Sequence, residues 1–224
     1  MSRNMGLSVD QRVAKRVLDI LVSGIGFIIT SPIMLIIAIA VKAYDRGPVF
    51  YFQDRLTLGG KPFKICKFRS MCVDSEKNGA RLASKHDSRI TPVGHVLRNL
   101  HLDELPQLFN VFKGDMSLVG PRPERESIML EYEKELPEFY YRLKVKAGLT
   151  GYAQVYGKYN TTPYDKLKLD LFYIENYSFL LDIKLIFMTV KIFFQKEVSE
   201  GVDDRQVNAL KDSGKNVGVS ENKT

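Results

Sequence analysis

The stretch that organises the chain is residues 98–123, with the sequence RNLHLDELPQLFNVFKGDMSLVGPRP. Its apolar side chains recur at the i, i+3, i+4 and i+7 spacing of a helix, at Leu105, Leu108, Phe109 and Phe112. Proline suits the first turn of a helix and glycine its end, so we expect Pro106 and Gly114 to bound this one. We expect Asp103 to cap its start.

Two adjacent acids, Asp103 and Glu104, stand between Arg98 and Arg122 in this stretch. A carboxylate at a helix N-terminus is favoured in its ionised form, and the same backbone donors attract phosphate. A nucleophilic carboxylate beside an anion site is what phosphoryl transfer through an aspartyl intermediate requires. The alternative is that the acids only cap the helix, which is common. The residues by themselves leave both interpretations open.

The composition favours a basic protein of one domain that binds phosphate groups. The chain has 224 residues and a net charge of +7. A basic surface suits anionic lipid, nucleotides or nucleic acid, but the sequence has no zinc-finger spacing and no nucleic-acid-binding module. Cys66 and Cys72 fit neither a disulfide framework nor a zinc site, and the three histidines have no ligand spacing. We therefore expect phosphate-bearing small molecules and lipid headgroups as partners, and no nucleic acid.

A long apolar segment near the N-terminus predicts contact with a membrane. Residues 20–41 carry no charged side chain, and as a straight helix they would reach about 33 Å, enough to cross a bilayer core. Residues 1–16 and 42–64 each carry a net charge of +3, so the positive-inside rule gives a crossing no preferred orientation. Because proline removes a helical hydrogen bond, we predict a helix that is broken at Ser31-Pro32 and enters and leaves through one leaflet. A transmembrane span is the alternative.

Residues 47–72 predict a β-hairpin with its turn at Gly59-Gly60. Lys67 and Arg69 share one face of the second strand by period-two alternation. This face is either part of a basic site or simply solvated.

The remainder of the chain predicts three further helices and a tail. Residues 124–135 form an acidic helix with a solvated face, and a helix opens at Thr162-Pro163 with Thr162 as its N-cap. Residues 179–194 are almost wholly apolar, which suits either a helix at the membrane interface or a buried core helix. The glycines of residues 148–157 form a phosphate loop or, by default, a structural turn.

In their order along the chain, these stretches resemble the bacterial sugar transferases, the small monotopic phosphoglycosyl transferases. The matching blocks run from about residue 12 to residue 197 and include 15–19 (KRVLD), 31–32 (SP), 47–50 (GPVF), 67–71 (KFRSM), 102–107 (LDELPQ), 114–123 (GDMSLVGPRP), 148–151 (GLTG), 153–155 (AQV), 173–178 (YIENYS) and 181–184 (LDIK). Four positions depart from the common pattern. Lys146-Ala147 stands where many members have Arg-Pro, Tyr152 where a Trp is frequent, and Thr57 where a glycine is common.

The resemblance implies transfer of a sugar 1-phosphate from a UDP-sugar to polyprenyl (undecaprenyl) phosphate, with release of UMP, at the cytoplasmic face of the bacterial cell membrane. This is an initiating step of capsule, exopolysaccharide or other glycoconjugate synthesis. By carry-over, Asp103 is the nucleophile that forms a phosphosugar-aspartyl intermediate, and Glu104 binds Mg²⁺. Arg98 and Arg122 suit phosphate clamps, and Lys67 and Arg69 extend the basic site. The resemblance also implies the re-entrant helix.

We therefore expect an α+β monotopic membrane protein with a re-entrant helix, a short β-hairpin and amphipathic interfacial helices. Its predicted parts are an N-terminal tail (1–12), the re-entrant membrane helix (13–42), a cytosol-facing catalytic region (43–197) and a polar, disordered tail (198–224). The alternative function is a membrane-anchored scaffold for glycan-assembly enzymes without chemistry of its own. The sequence leaves the oligomeric state and the transferred sugar open.

Overall fold

A computed structural model describes residues 9–73, 75, 87–157 and 161–194. Residues 193 and 194 are described by their backbone alone. The helices are α1 (Val9–Asp45), α2 (Pro92–Asn99), α3 (Gln107–Lys113), α4 (Glu126–Glu135), α5 (Tyr152–Tyr156), α6 (Pro163–Glu175) and α7 (Phe179–Phe194). The strands are β1 (Phe50–Leu56), β2 (Pro62–Phe68), β3 (Ser117–Val119) and β4 (Gly148–Thr150). This mixture of helices and small sheets agrees with the predicted combination of helix and strand. The predicted disordered tail, 198–224, lies outside the described residues, as do residues 1–8 of the N-terminal tail.

Helix α1 continues through Ser31 and Pro32 as a single α-helix, so the helical break predicted there is not observed. Pro32 has no N–H to give to the carbonyl of Ile28, four residues earlier. The Ser31 hydroxyl donates to that same carbonyl at 2.7 Å. The serine thus replaces the hydrogen bond that the proline removes, which explains how the helix continues.

Helix α1 exposes mainly apolar side chains, and some of the side chains that it buries are polar. In its most apolar 18-residue window only 17% of the residues are buried. Toward the N-terminus, the residues that it buries against the protein are polar, at Lys15, Asp19 and Ser23. Its exposed large apolar residues include Ile25, Ile28, Ile29, Ile33, Leu35, Ile36 and Ile39. By length and composition α1 is able to cross a membrane, and an apolar exterior of this kind is compatible with membrane anchoring.

Helix α1 contacts the rest of the protein along most of its length. Near its N-terminus, Asp19 Oδ1 accepts hydrogen bonds from Ser117 Oγ at 3.0 Å and from the Leu118 amide at 2.9 Å. At mid-helix, Gly24 lies next to the ring of Phe112 in α3. The C-terminal half joins a core of five buried residues: Met34, Ile37, Val41, Phe68 and Leu97.

The predicted β-hairpin is confirmed. Strands β1 and β2 pair antiparallel over their whole length, from Phe50 opposite Phe68 to Leu56 opposite Pro62. Gly59 and Gly60 have φ of 69° and 75°, the left-handed conformation that a tight turn requires of glycine.

The largest buried core lies between the hairpin, α3, the β3–β4 pair, α6 and α7. Its buried members are Phe63, Ile65, Val111, Met116, Leu118, Val119, Val145, Ala147, Tyr173, Ile174 and Leu185. Strands β3 and β4 pair in parallel within it, with Ser117 opposite Gly148 and Val119 opposite Thr150. A Cβ added at Gly120 would lie 2.2 Å from the Lys146 carbonyl oxygen, so the close approach of these two segments requires glycine.

Candidate active site

The two acids lie on a short 3₁₀ turn, Leu102–Glu104, immediately before α3. His101 precedes it in the left-handed conformation, with φ of 52°, which is unusual for a residue with a side chain. Helix α3 ends at Gly114, as predicted, but its N-cap is Pro106 and no side chain caps it. The prediction that Asp103 caps this helix is therefore wrong. The chain turns sharply at His101 and places Asp103 one turn earlier than a capping residue would stand.

Glu104 is held between two cations from distant parts of the chain. Its Oε1 accepts from Lys67 Nζ at 2.6 Å and from Arg122 Nη2 at 2.6 Å, and its Oε2 lies 3.4 Å from Arg122 Nη1. Lys67 is the penultimate residue of β2, and Arg122 follows β3. The hairpin and the β3–β4 pair therefore bring both predicted phosphate-binding residues to the acid pair.

Opposite charge determines the ionisation of Glu104. Burial by itself would raise the pKa of Glu104, but the charges and hydrogen bonds of Arg122 and Lys67 outweigh burial and hold this pKa far below its usual range. Burial lowers the pKa of Lys67, and the Glu104 carboxylate opposes that effect. Glu104 is thus ionised at neutral pH.

Asp103 is buried, with 8% of its surface exposed, yet its carboxylate has no hydrogen bond or ion pair with any described residue. Burial raises the pKa of Asp103, as does the neighbouring charge of Glu104. Three cations oppose this rise: Lys67, Arg98 and Arg122. A poorly solvated carboxylate without hydrogen-bond partners is a suitable nucleophile in its ionised form, because few interactions have to be broken before it attacks.

Arg98, at the C-terminal end of α2, lies close enough to Asp103 to lower its pKa. Its Nη1 atom is buried and has no hydrogen-bond partner in the described part of the chain. A buried guanidinium nitrogen without a partner is costly. An anion bound beside Asp103 would supply the missing acceptor, which supports the predicted clamp role.

Arg69 is not among the residues that surround the acid pair through hydrogen bonds or ion pairs. Strand β2 ends at Phe68, and the guanidinium of Arg69 binds both carboxylate oxygens of Asp45 at the end of α1. It also packs against Gly47, where a Cβ would meet Arg69 Nη1 at 2.5 Å. The shared strand face predicted for Lys67 and Arg69 therefore serves two different contacts, and Arg69 joins the hairpin to α1.

The glycines of residues 148–157 have a structural role, in agreement with the default interpretation. Gly148 lies in β4, and Gly151 immediately precedes α5. A Cβ added at either would lie 2.0 to 2.1 Å from backbone atoms of Gly120. Close backbone packing, rather than phosphate binding, therefore explains these two glycines.

Two of the residues that depart from the family pattern, Thr57 and Ala147, contact each other. The Ala147 amide donates to Thr57 Oγ1 at 3.2 Å, and Thr57 Oγ1 donates to the Asp115 carbonyl at 3.0 Å. A proline at position 147 would have no amide hydrogen to donate, and a glycine at 57 would have no hydroxyl to accept it. Lys146 likewise serves the backbone here, since its Nζ donates to the Gly114 carbonyl at 2.8 Å.

Asp103 and Glu104 could bind a divalent cation only if a substrate supplied further oxygen ligands. Among the described residues no group of three His, Cys, Asp or Glu side chains is arranged to hold a metal. Glu104 Oε1 already accepts two charged hydrogen bonds, whereas Oε2 has only the 3.4 Å contact with Arg122. Mg²⁺ usually takes one or two carboxylates together with substrate phosphates. Asp103 and Glu104 meet that lesser requirement.

The acid pair is directly linked to the apolar helix. Leu102 and Leu105, which flank it, pack against the core that contains the C-terminal half of α1. The candidate site therefore adjoins the exposed apolar surface of α1, which suits lipid.

A partly buried charge network, which the sequence did not predict, lies next to the site. Its members are Arg55, Glu124, Arg142, Lys166 and Asp170. Glu124 was assigned to a solvated helix face, but it precedes α4 and its side chain is 13% exposed. No local pattern reveals these contacts, because the partners lie far apart in sequence.

A family model described as bacterial sugar transferase matches residues 10–196. The N-acetylgalactosaminephosphotransferase of Aeromonas hydrophila, named for UDP-N-acetylgalactosamine and undecaprenyl phosphate, is 44% identical over 180 residues, 79% of this chain and 43% of that protein. The UDP-glucose:undecaprenyl-phosphate glucose-1-phosphate transferase of Klebsiella pneumoniae is 46% identical over 183 residues, covering 80% and 39%. An uncharacterized sugar transferase of Bacillus subtilis is 39% identical over 190 residues, covering 85% and 90%.

The chain thus spans less than half the length of the first two relatives and nearly all of the third. The match to the family model covers all of the described region except Val9, including both acids and the cations around them. The chain belongs to the bacterial sugar transferase family.

Proposed function

We propose that this protein transfers a sugar 1-phosphate from a UDP-sugar to undecaprenyl phosphate and releases UMP. The observation that carries the proposal is the unoccupied Asp103 carboxylate, buried among three cations beside an apolar membrane helix. The relatives from Aeromonas hydrophila and Klebsiella pneumoniae are named for this reaction with N-acetylgalactosamine and with glucose, respectively.

In the proposed first step, an Asp103 carboxylate oxygen attacks the phosphorus that bears the sugar. A new P–O bond to Asp103 forms, the P–O bond to the nucleotide breaks, and UMP leaves with the electron pair. Arg98 and Arg122 suit the phosphate oxygens, since guanidinium groups bind them with two parallel hydrogen bonds. In the second step, an oxygen of undecaprenyl phosphate attacks the same phosphorus and restores the Asp103 carboxylate.

Mg²⁺ would be held by Glu104 together with the donor phosphates, and when bound it would offset their negative charge. Glu104 Oε2 supports this assignment, because its contact with Arg122 Nη1 is long, at 3.4 Å. Lys67 and Arg122 hold Glu104 ionised, so it is ready to bind a cation.

We also propose that α1, although unbroken at Pro32, embeds in the membrane without crossing it and keeps both of its ends on the side of the catalytic region. Contacts near both of its ends supply the support: Lys15 binds Asp182 of α7, and Asp45 binds Arg69. A helix that crossed the bilayer would carry one of these ends to the far side.

The catalytic proposal is tested by measuring UMP release from a panel of UDP-sugars with undecaprenyl phosphate and Mg²⁺. We expect turnover with at least one sugar, and a loss on the order of 10⁴-fold or more in Asp103→Asn, because the nucleophile is removed. Near-normal turnover in Asp103→Asn would contradict the assignment. A wild-type protein that releases no UMP with any sugar, while binding other glycan enzymes regardless of Asp103, would favour the scaffold.

The membrane proposal is tested with single cysteines at Val9 and Tyr44, both exposed, in a variant that lacks Cys66 and Cys72. We expect an impermeant thiol reagent to reach both positions from the cytoplasmic side only. Labelling of the two positions from opposite sides would mean that α1 spans the membrane.

A further inference from the structure

The segment that carries Arg122 is fixed by an unusual set of backbone contacts. Three consecutive carbonyls are each bound by a donor: that of Arg122 by Arg142 Nη2 at 3.0 Å, that of Pro123 by Arg55 Nη1 at 3.2 Å, and that of Glu124 by the Leu56 amide at 3.0 Å. Two of the three donors are guanidinium groups. The backbone of residues 122–124 therefore has little freedom to move.

Arg142 is itself immobilised by a buried ion pair. Its Nε and Nη2 atoms lie 3.0 and 2.8 Å from Asp170 Oδ2, and the two side chains are 2% and 1% exposed. A buried pair of this kind adds little net stability compared with apolar residues of the same size. It does fix the orientation of both groups, so the Arg142 donor is held in place at the Arg122 carbonyl.

Helix α6 holds the same segment at a second point. Lys166 lies one helical turn before Asp170, so both side chains project from one face of α6. Lys166 Nζ binds Glu124 Oε1, and that carboxylate also lies 3.6 Å from Arg55 and 3.7 Å from Arg142. One face of α6 thus holds residues 122–124 through Arg142 and through Glu124.

These contacts fix the backbone that carries the Arg122 side chain, which is long and partly exposed. Arg122 is 43% exposed, and its guanidinium contacts Glu104 through both terminal nitrogens. A long exposed side chain loses up to about 2 kcal/mol of rotamer entropy when it is fixed. A rigid backbone under Arg122 lowers the number of positions that its guanidinium samples.

We propose that Arg142, supported by Asp170 and Lys166 of α6, is a positioning residue for Arg122. It holds the Arg122 backbone so that the guanidinium reaches Glu104 and the phosphate site. This inference rests on the proposed function for the part that Arg122 takes in transfer. It does not require Arg142 to touch the substrate.

The test is a double-mutant cycle on kcat/KM for UMP release, using the full chain in detergent micelles with Arg142→Lys and Arg122→Ala. We expect Arg142→Lys alone to lower kcat/KM by about 10- to 100-fold, because small displacements in a catalytic site have effects of that size. In the Arg122→Ala background the same change should cost less than about 3-fold, since Arg142 acts through a side chain that is no longer present. Equal losses in both backgrounds would overturn the proposal.

Two further variants guard against a general loss of folding. Lys166→Gln removes a partly exposed contact to Glu124 and should show the same dependence on Arg122, with a smaller loss. Arg12→Lys makes the same exchange as Arg142→Lys at an exposed residue of α1 and should leave kcat/KM unchanged. A loss in Arg12→Lys as large as that in Arg142→Lys would count against the proposal.

A second readout does not depend on activity. Arg142→Lys removes the guanidinium that holds the Arg122 carbonyl, so it should increase the mobility of the Arg122 side chain, measured by ¹⁵N relaxation of its Nε–Hε group. Greater Arg122 mobility in a protein that releases no UMP would refute the proposed function and leave the positioning role standing. Unchanged Arg122 mobility would refute the positioning role, whatever the activity.

Discussion

Replacing Lys15 with methionine should severely destabilise the protein, although Lys15 lies in a helix that resembles a simple membrane anchor. Lys15 Nζ binds the Asp182 carboxylate of α7 and donates to the Val119 carbonyl of β3 at 3.1 Å. The two charged side chains are 7% and 1% exposed. Asp182 also accepts from Tyr173 Oη at 2.7 Å, so the pair is part of the core.

The expected loss follows from this burial. Methionine keeps most of the length of the side chain but leaves Asp182 charged and buried without a cation. Removing one partner of a buried pair costs about 3–5 kcal/mol. The exposed pair of Lys64 and Asp54 has side chains that are 68% and 70% accessible, and Lys64→Met should cost about 0–1 kcal/mol.

The assay is chemical unfolding in detergent micelles, followed by circular dichroism because the chain has no tryptophan. The double variant Lys15→Met/Asp182→Leu should recover most of the loss, since it removes the unpaired charge as well. If Lys15→Met costs no more than Lys64→Met, the N-terminal part of α1 is not built into the core, and the argument that both ends of α1 are fixed to one body fails.

Three further outcomes are expected. Lys67→Met should move the acid limb of the pH profile of kcat/KM to higher pH, because Lys67 lowers the Asp103 pKa and activity is lost when Asp103 is protonated. An unmoved limb, or the same shift in the exposed-site control Lys64→Met, would contradict this. Gly120→Ala should lower the free energy of unfolding by about 3 kcal/mol or more in the same assay, because its Cβ would lie 2.2 Å from a carbonyl oxygen. Gly24→Ala should be neutral or stabilising, because the atom nearest to its Cβ would lie 3.5 Å away. Ser31→Ala should destabilise the protein by about 1 kcal/mol, because it leaves the Ile28 carbonyl without a donor. Thr30→Val should cost less, because the Gly26 carbonyl keeps its backbone donor. Equal effects would refute the idea that the Ser31 hydroxyl replaces the hydrogen bond that Pro32 lacks.

Features that depend on local chemistry were predictable from the sequence. The hairpin follows from Gly59-Gly60, which alone supply the left-handed turn. The start of α6 follows from Thr162, whose hydroxyl accepts from the Asp165 amide, with Pro163 in the first turn. The meeting of Glu104 with Lys67 and Arg122 was expected only from the family resemblance, since 37 and 18 residues separate these partners.

Two wrong predictions share a physical cause: in each, a local rule was outweighed by a contact or turn that it did not include. Pro32 does not interrupt α1 because the Ser31 hydroxyl binds the carbonyl that Pro32 leaves free. Asp103 does not cap α3 because His101 turns the chain one turn earlier. The contact of Arg69 with Asp45 was not predicted either, because α1 brings Asp45 near from 24 residues away.

If Asp103 carries the sugar phosphate during transfer, the covalent intermediate can be trapped on the protein. The full chain is incubated with a UDP-sugar labelled with ³²P at the sugar-linked phosphorus, with Mg²⁺ and without undecaprenyl phosphate. We predict that the protein retains covalent label in proportion to the UMP released, that undecaprenyl phosphate removes the label, and that Asp103→Asn retains none. Turnover without any retained label, or label retained equally by Asp103→Asn, would contradict this prediction.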